Sequence, residues 1–170
     1  MNPSKHITYS PVLPDNSIIA KDFKSIDYQD VYGIQVPGKI TIDEAMAHSF
    51  GKTPGWTKAL LYIRNRIVEP LGLKTEKEIL KPENTLLFTI LYRNETEVVL
   101  GEEDSHLDFR TSLRVEPLSD ETTNVYSSTL VHYNNRLGRI YFFFVKPFHK
   151  IIVKSMLKSL WRQVKKSPQR

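Results

Sequence analysis

The stretch DSHLDFR, residues 104–110, sets His106, Asp108 and Arg110 two positions apart from one another. On a β-strand that spacing puts all three side chains on one face. There an imidazole oriented by a carboxylate is the equipment of a general acid or base, and the same trio could fix the polar end of a ligand. The opposite face, Leu107, Phe109, Thr111, Leu113 and Val115, is nearly apolar. If that apolar face packs inward, the trio meets solvent and Asp108 pairs with Arg110 at little energetic worth. If the strand is turned the other way, the trio lines the interior. A hairpin loop at 118–120 would set His132 opposite His106, although a register change of one residue breaks that pairing. Two histidines and Asp108 on one strand pair lack the ligand spacing of an established metal site, so no metal is expected.

Other residues extend the list. Trp56 and Arg64 fall on a predicted helix, the first in its apolar stripe with Leu60 and Ile63, the second one position round from Ile63, where it could reach an inward carboxylate. Arg139 and Tyr141 flank the start of the last helix and could guard a pocket entrance or be plain surface. His149 reads as a packed or surface histidine. Several chemistries fail for want of parts. There is no cysteine, hence no thiolate nucleophile or Cys-ligated zinc. The seven glycines form neither dinucleotide-binding nor P-loop spacing, and no G-x-S-x-G elbow is present. No cofactor is expected.

These residues must be positioned by elements that the patterning outlines. Residues 1–29, with three prolines and little periodicity, read as an extended leader that wraps the body or lacks order. DVYGIQV at 30–36 alternates as a short strand, and Thr41 with Glu44 has capping-box spacing for a helix at 42–50. Pro54 opens a second helix that Pro70 and Gly72 end. Four β-rich runs between 84 and 134 follow with short polar turns, an antiparallel meander. A long helix from about residue 138, bent at Pro147, closes the chain, with Phe148, Ile152, Met156 and Leu160 as its apolar stripe. The expected architecture is α+β: one helix-grip domain over 30–166, a curved antiparallel sheet wrapped around a long C-terminal helix, with a basic tail at 167–170.

Three ordered blocks, PGWTKALLYIRNRIVEPLGL (54–73), DSHLDFR (104–110) and STLVHYNNRLGRIYFFFVKPFHKIIVKSMLKSL (128–160), together resemble the bacterial DUF2867 family. The resemblance covers roughly residues 30–162. It implies a Bet v 1-like or START-like fold, a group whose domains commonly enclose apolar small molecules, and some relatives are fused to a nucleotide-binding dehydrogenase domain. It brings no catalytic residue set.

Charge adds a partner question. Ten of the 24 basic residues, and none of the 19 acidic ones, lie at 136–170. A basic helix of this kind suits anionic lipid or an acidic protein, or merely keeps a surface soluble. Aromatic residues do not interleave with the lysines as a base-stacking platform requires, so nucleic acid is not an expected partner. The opening residues lack secretory-signal architecture, and the longest unbroken apolar run, IYFFFV, is far too short to span a bilayer. A soluble cytoplasmic protein is expected. The leading functional reading is a non-enzymatic domain holding an apolar or amphipathic small molecule between sheet and C-terminal helix. The alternatives are a cofactor-independent acid/base enzyme in the same space, of cyclase or dehydratase type with His106 oriented by Asp108, and attachment through the basic helix.

Overall fold

The computed structural model describes residues 7–50 and 88–166. The predicted second helix, with Trp56 and Arg64, lies outside the described residues. In chain order the elements are β1 (Thr8–Ser10), β2 (Tyr28–Pro37), α1 (Ile42–Phe50), β3 (Thr89–Arg93), β4 (Glu97–Glu103), β5 (Leu107–Pro117), β6 (Thr122–Tyr133) and α2 (Arg136–Lys166). The strands form one antiparallel sheet in the order β1-β2-β6-β5-β4-β3. The meander β3 to β6 thus zips in sequence order, and β2 closes on its last strand.

Turn chemistry sets the joins. Between β3 and β4 the Asn94 carboxamide oxygen accepts hydrogen bonds from the backbone N–H groups of Thr96 (2.9 Å) and Glu97 (2.7 Å), an Asx turn. Thr41 and Glu44 exchange the reciprocal bonds of a capping box at the start of α1, 2.8 Å and 3.2 Å, as their spacing predicts. Asn135 caps α2 by accepting from the Gly138 N–H at 3.0 Å, so the helix begins at Arg136 rather than near 138. Gly138 is required where it stands: a Cβ there would come within 1.9 Å of the His106 carbonyl oxygen. That close approach pins the helix start to the bend before β5.

α2 lies along one face of the sheet. Val153, Leu157, Leu160 and Val164 of the helix pack with Tyr32, Ile34 and Val36 of β2, Val98 and Leu100 of β4, Leu113 and Val115 of β5, Val125 of β6, and Ile42 and Ala45 of α1. Each such side chain contributes about 2 kcal/mol when fully removed from water. The expected stripe of 148, 152, 156 and 160 is corrected here. Steps of four drift about 40° per step, so the buried line alternates, 153, 157, 160, 164, and Phe148, Ile152 and Met156 are only half-buried.

The other face of the sheet is covered by the leader. Ile19 is fully buried against Val99 and Leu130, with Leu13, Ile18, Phe23 and Tyr92 around it. The leader turns at Asn16 and Asp22, whose φ angles of 58° and 55° lie in the left-handed region that these residue types tolerate best among non-glycines. Residues 13–23 of the leader thus lie against this face of the sheet. The architecture is the helix-grip arrangement, with the sheet between a helix on one side and an extended strap on the other.

Candidate functional site

Strand alternation decides what faces α2. The register pairs Tyr28 with Val131, Asp30 with Thr129 and Tyr32 with Ser127, and then Thr129 with Thr111 and Ser127 with Leu113. Because Tyr32, Ile34, Val36, Val125, Leu113 and Val115 pack in the helix-facing core, Asp30, Thr129, Thr111 and Ser127 share that helix-facing side. A carboxylate and the hydroxyls of Thr111, Ser127 and Thr129 therefore lie on the side of the sheet that carries the apolar core.

Asp30 is fully buried. The Tyr28 hydroxyl donates to its Oδ2 at 2.6 Å, and His149, projecting inward from α2, places Nε2 3.3 Å from Oδ1 and 3.2 Å from Oδ2. An ionised carboxylate only accepts hydrogen bonds, so the Nε2 nitrogen must carry the proton and Nδ1 is the ring atom left for another group. Burial pushes the Asp30 carboxyl upward, but the hydrogen bond and charge of His149, joined by the hydroxyl of Tyr28, outweigh it and hold the group below the usual carboxylate range. Burial, reinforced by the hydrogen bond and charge of Asp30, pushes the Tyr28 phenol far up, and the Tyr32 phenol rises to about 12 by burial and the same charge. Both phenols are neutral donors at neutral pH. Lys146 Nζ lies 4.6 Å from the Tyr28 ring centre and Lys154 Nζ 5.3 Å from that of Tyr32. Two register rows away, the Ser127 hydroxyl is buried with no hydrogen-bond partner among the described residues, as are those of Ser112 and Ser128 on the opposite face. The cluster can accept a hydrogen bond or cation from a ligand at Asp30. It can also offer an imidazole whose far nitrogen is oriented by a carboxylate.

The residues singled out in the sequence are distributed differently. Asp108, Arg110 and His132 lie on the opposite, leader-covered face. The apolar face of β5 does pack inward, but the polar face is not solvated: Asp108 and Arg110 are buried under the strap. They do not pair with each other as a simple strand repeat. Asp108 accepts from Asn134 Nδ2 at 2.8 Å and meets Lys24 Nζ at 3.4 Å, whereas Arg110 donates to the carbonyls of Ile19 (3.2 Å) and Lys21 and stacks over Phe23 and Tyr92.

The expected pairing of His106 with His132 is also corrected. The β5–β6 register sets Asp108 opposite His132, because the hairpin loop is longer than 118–120 and ends at Thr122. His106 precedes β5 in a bend, escapes strand alternation, and packs edge-on against Tyr141 of α2 with ring centres 5.0 Å apart. Its Nδ1 is 3.5 Å from Asp104 Oδ2, so Asp104 rather than Asp108 is its carboxylate neighbour. Arg139 is exposed and lies over the Tyr133 ring at 5.6 Å, while Tyr141 is buried.

A Ser25–His132–Asp27 grouping has the residue types of a hydrolase triad but the wrong wiring. Both the Ser25 hydroxyl (2.7 Å) and the Asp27 carboxylate (2.9 Å) meet the same nitrogen, Nδ1, whereas a triad places serine and aspartate on opposite ring nitrogens. The Tyr133 N–H, then His132, hold the Asp27 carboxyl below its ordinary range against the opposing effect of burial. This grouping ties the end of the leader to β6. Among the described residues no set of three metal-ligating side chains converges.

Sequence reasoning missed Tyr28, Asp30 and His149. The signal was present: Asp30 interrupts the apolar alternation that continues through Tyr32, Ile34 and Val36, and His149 stands four residues before Val153 on the inward stripe of α2.

A family model described as "Protein of unknown function (DUF2867)" matches residues 23–156. No curated protein matches the chain. Among solved structures, a conserved protein from Geobacillus kaustophilus is similar at 13% identity and TM-score 0.39, over 82% of this chain and 97% of its own. A truncated norcoclaurine synthase from Thalictrum flavum is similar at 13% identity and TM-score 0.42, over 85% of this chain and 98% of its own.

Proposed function

We propose, for a chain that belongs to the DUF2867 family of proteins of unknown function, that it binds a small amphipathic molecule between the concave sheet face and α2, with Tyr28, Asp30 and His149 holding the polar end. The observation that carries this reading is a fully buried, ionised Asp30 on the side of the sheet where apolar packing prevails. Stability does not account for it, because an apolar trio of similar volume would pack there without any desolvation cost. Apolar walls with a few convergent polar groups are the usual make-up of a small-molecule site.

The polar end is assigned to this cluster in preference to Asp108, Arg110 and His132, whose polar atoms face the leader. His106 and Tyr141 remain near the start of α2 as a second wall. We place the protein in the cytoplasm as a soluble domain; among the described residues no helix is long and apolar enough to cross a membrane. A second reading has one observation in its favour. The Asp30–His149 contact would orient an imidazole for acid/base chemistry on a bound molecule, a role earlier assigned to His106. Native mass spectrometry of protein from its natural cells, followed by denaturing extraction, tests the binding reading. One discrete small molecule at near-stoichiometric amount is the expected result; an unliganded mass that stays unshifted by fatty acids, sterols and aromatic polyketides would sink it. If that molecule is found, His149→Ala separates the readings: a binder loses affinity, whereas an enzyme loses turnover far more than affinity.

A further inference from the structure

α2 has a second apolar stripe, on the side turned away from the sheet. Ile140, Phe143, Phe144 and Ile151 are exposed, Phe143 by 73%, and together with exposed Pro147 they recur at steps of three and four, one line along the helix. The line runs about 16 Å. Phe143 and Phe144 pack edge-on with ring centres 5.4 Å apart, so the pair stands as one rigid apolar knob. Other exposed large apolar side chains among the described residues, such as Tyr9, Val12, Ile90 and Leu118, are spread over other parts of the chain.

The surroundings of the stripe are all of one sign. The 31 residues of α2 contain nine Lys or Arg and no Asp or Glu. Arg136 and Arg139 stand exposed at one end of the stripe, and Lys154, Arg162, Lys165 and Lys166 at the other. Lys158, five helical turns from Ile140, continues the same line, so the outer face passes from apolar to basic.

From this juxtaposition we infer that the outer face of α2 docks on an anionic lipid surface, Phe143 and Phe144 entering the acyl boundary and the flanking Lys and Arg residues meeting the headgroups. The charge pattern chooses among occupants. A second copy of the chain would bring two acid-free basic helices together, which like-charge repulsion opposes. A protein partner would have to supply a groove for a convex helix face, whereas a bilayer accepts a convex face as it is. Interfacial helices bind through this combination of inserted apolar side chains and basic attraction to anionic lipid.

The test is co-sedimentation of the full chain with vesicles of phosphatidylcholine alone and of phosphatidylcholine mixed with phosphatidylglycerol. Pelleting with the anionic vesicles is expected, at least about tenfold above the neutral ones and released by high salt, as a screened attraction must be. The double substitution Phe143→Ser with Phe144→Ser should cut partitioning by about tenfold with an unchanged circular dichroism spectrum, since both rings are already exposed. Should that variant fold poorly, Lys158→Glu with Arg162→Glu supplies an independent arm with the same expected loss. Absence of pelleting, equal pelleting on neutral lipid, or full pelleting by the folded variants overturns the inference. So does a concentration-dependent dimer that the phenylalanine substitutions abolish while vesicles recruit nothing.

Discussion

The two faces of the sheet both bury charge, and they bury it differently. Under the leader, Glu97 is fully buried, accepts from the Ser17 hydroxyl at 2.7 Å and the Ile18 N–H at 2.9 Å, and meets Arg114 at 3.4 Å. Arg114 in turn donates to Glu116 at 2.8 Å and to the Asn16 carbonyl at 3.1 Å, while Arg110 is occupied by leader carbonyls and aromatic faces. Every one of these charges is answered by the strap or the strand beside it, so the polar convex face fastens the leader down. Beneath α2 the charge is Asp30, answered by a tyrosine and a histidine whose second ring nitrogen is left to another group. Burial of charge alone does not mark a site. What separates the faces is what answers the buried charge, the strap and the neighbouring strand on one side and a phenol and an imidazole on the other. Buried hydroxyls without a partner among the described residues occur on both, Ser112 and Ser128 beneath the leader and Ser127 beneath α2.

That contrast breaks first, and hardest, at Glu97. Glu97→Ala leaves Arg114 partly uncompensated beneath the strap, and a loss of about 3 kcal/mol is expected in urea unfolding. Protease cleavage within residues 11–27 should accelerate with it; unchanged stability and unchanged cleavage would mean the strap is held by its apolar contacts alone. Asp30→Asn is expected to cost less, about 2 kcal/mol, because the amide keeps the shape and part of the hydrogen bonding. The same variant sharpens the pH behaviour. The Asp30 carboxyl lies below its ordinary range in the folded protein, so the folded state binds fewer protons than the unfolded one. The stability it contributes is fully present above about pH 4 and is lost as the pH falls through the lower folded value. Acid unfolding of Asp30→Asn should be correspondingly less steep, with the residual slope coming from groups such as Asp27, which is shifted in the same direction.

Tyr28→Phe removes one hydroxyl donated to a carboxylate and is expected to cost about 1.5 kcal/mol, with most of that cost absent in the Asp30→Asn background. Additive losses in that double-mutant cycle would show that the two groups do not act as a unit. At the small end, Asp120→Ala severs an exposed pair with Lys39 at the sheet margin and should leave the unfolding midpoint where it is.

Much of the scaffold was legible in the sequence because its signals are local. The Thr41–Glu44 box, the meander turns and the long basic helix are each written within a few residues, and the helix-grip arrangement follows from their order. The candidate site was harder. DSHLDFR advertised itself by residue type, yet a strand's alternation gives two faces without saying what covers either, and the proline-bearing leader that covers one of them carries no periodicity. His106 illustrates the same limit at finer scale, since a bend placed just before β5 removes it from the face that its spacing assigned. Asp30 and His149 are 119 positions apart, and only the three-dimensional packing of α2 on β2 joins them.

Ligand retention in paired variants tests the central claim most directly. Wild type, Asp30→Asn and Asp108→Asn, all purified from the natural cells and checked for fold by circular dichroism, would be compared by native mass spectrometry. A co-purifying small molecule present on wild type and Asp108→Asn but lost from Asp30→Asn is the result this account predicts. Retention by Asp30→Asn together with loss from Asp108→Asn would contradict it and return the binding role to the leader-covered face.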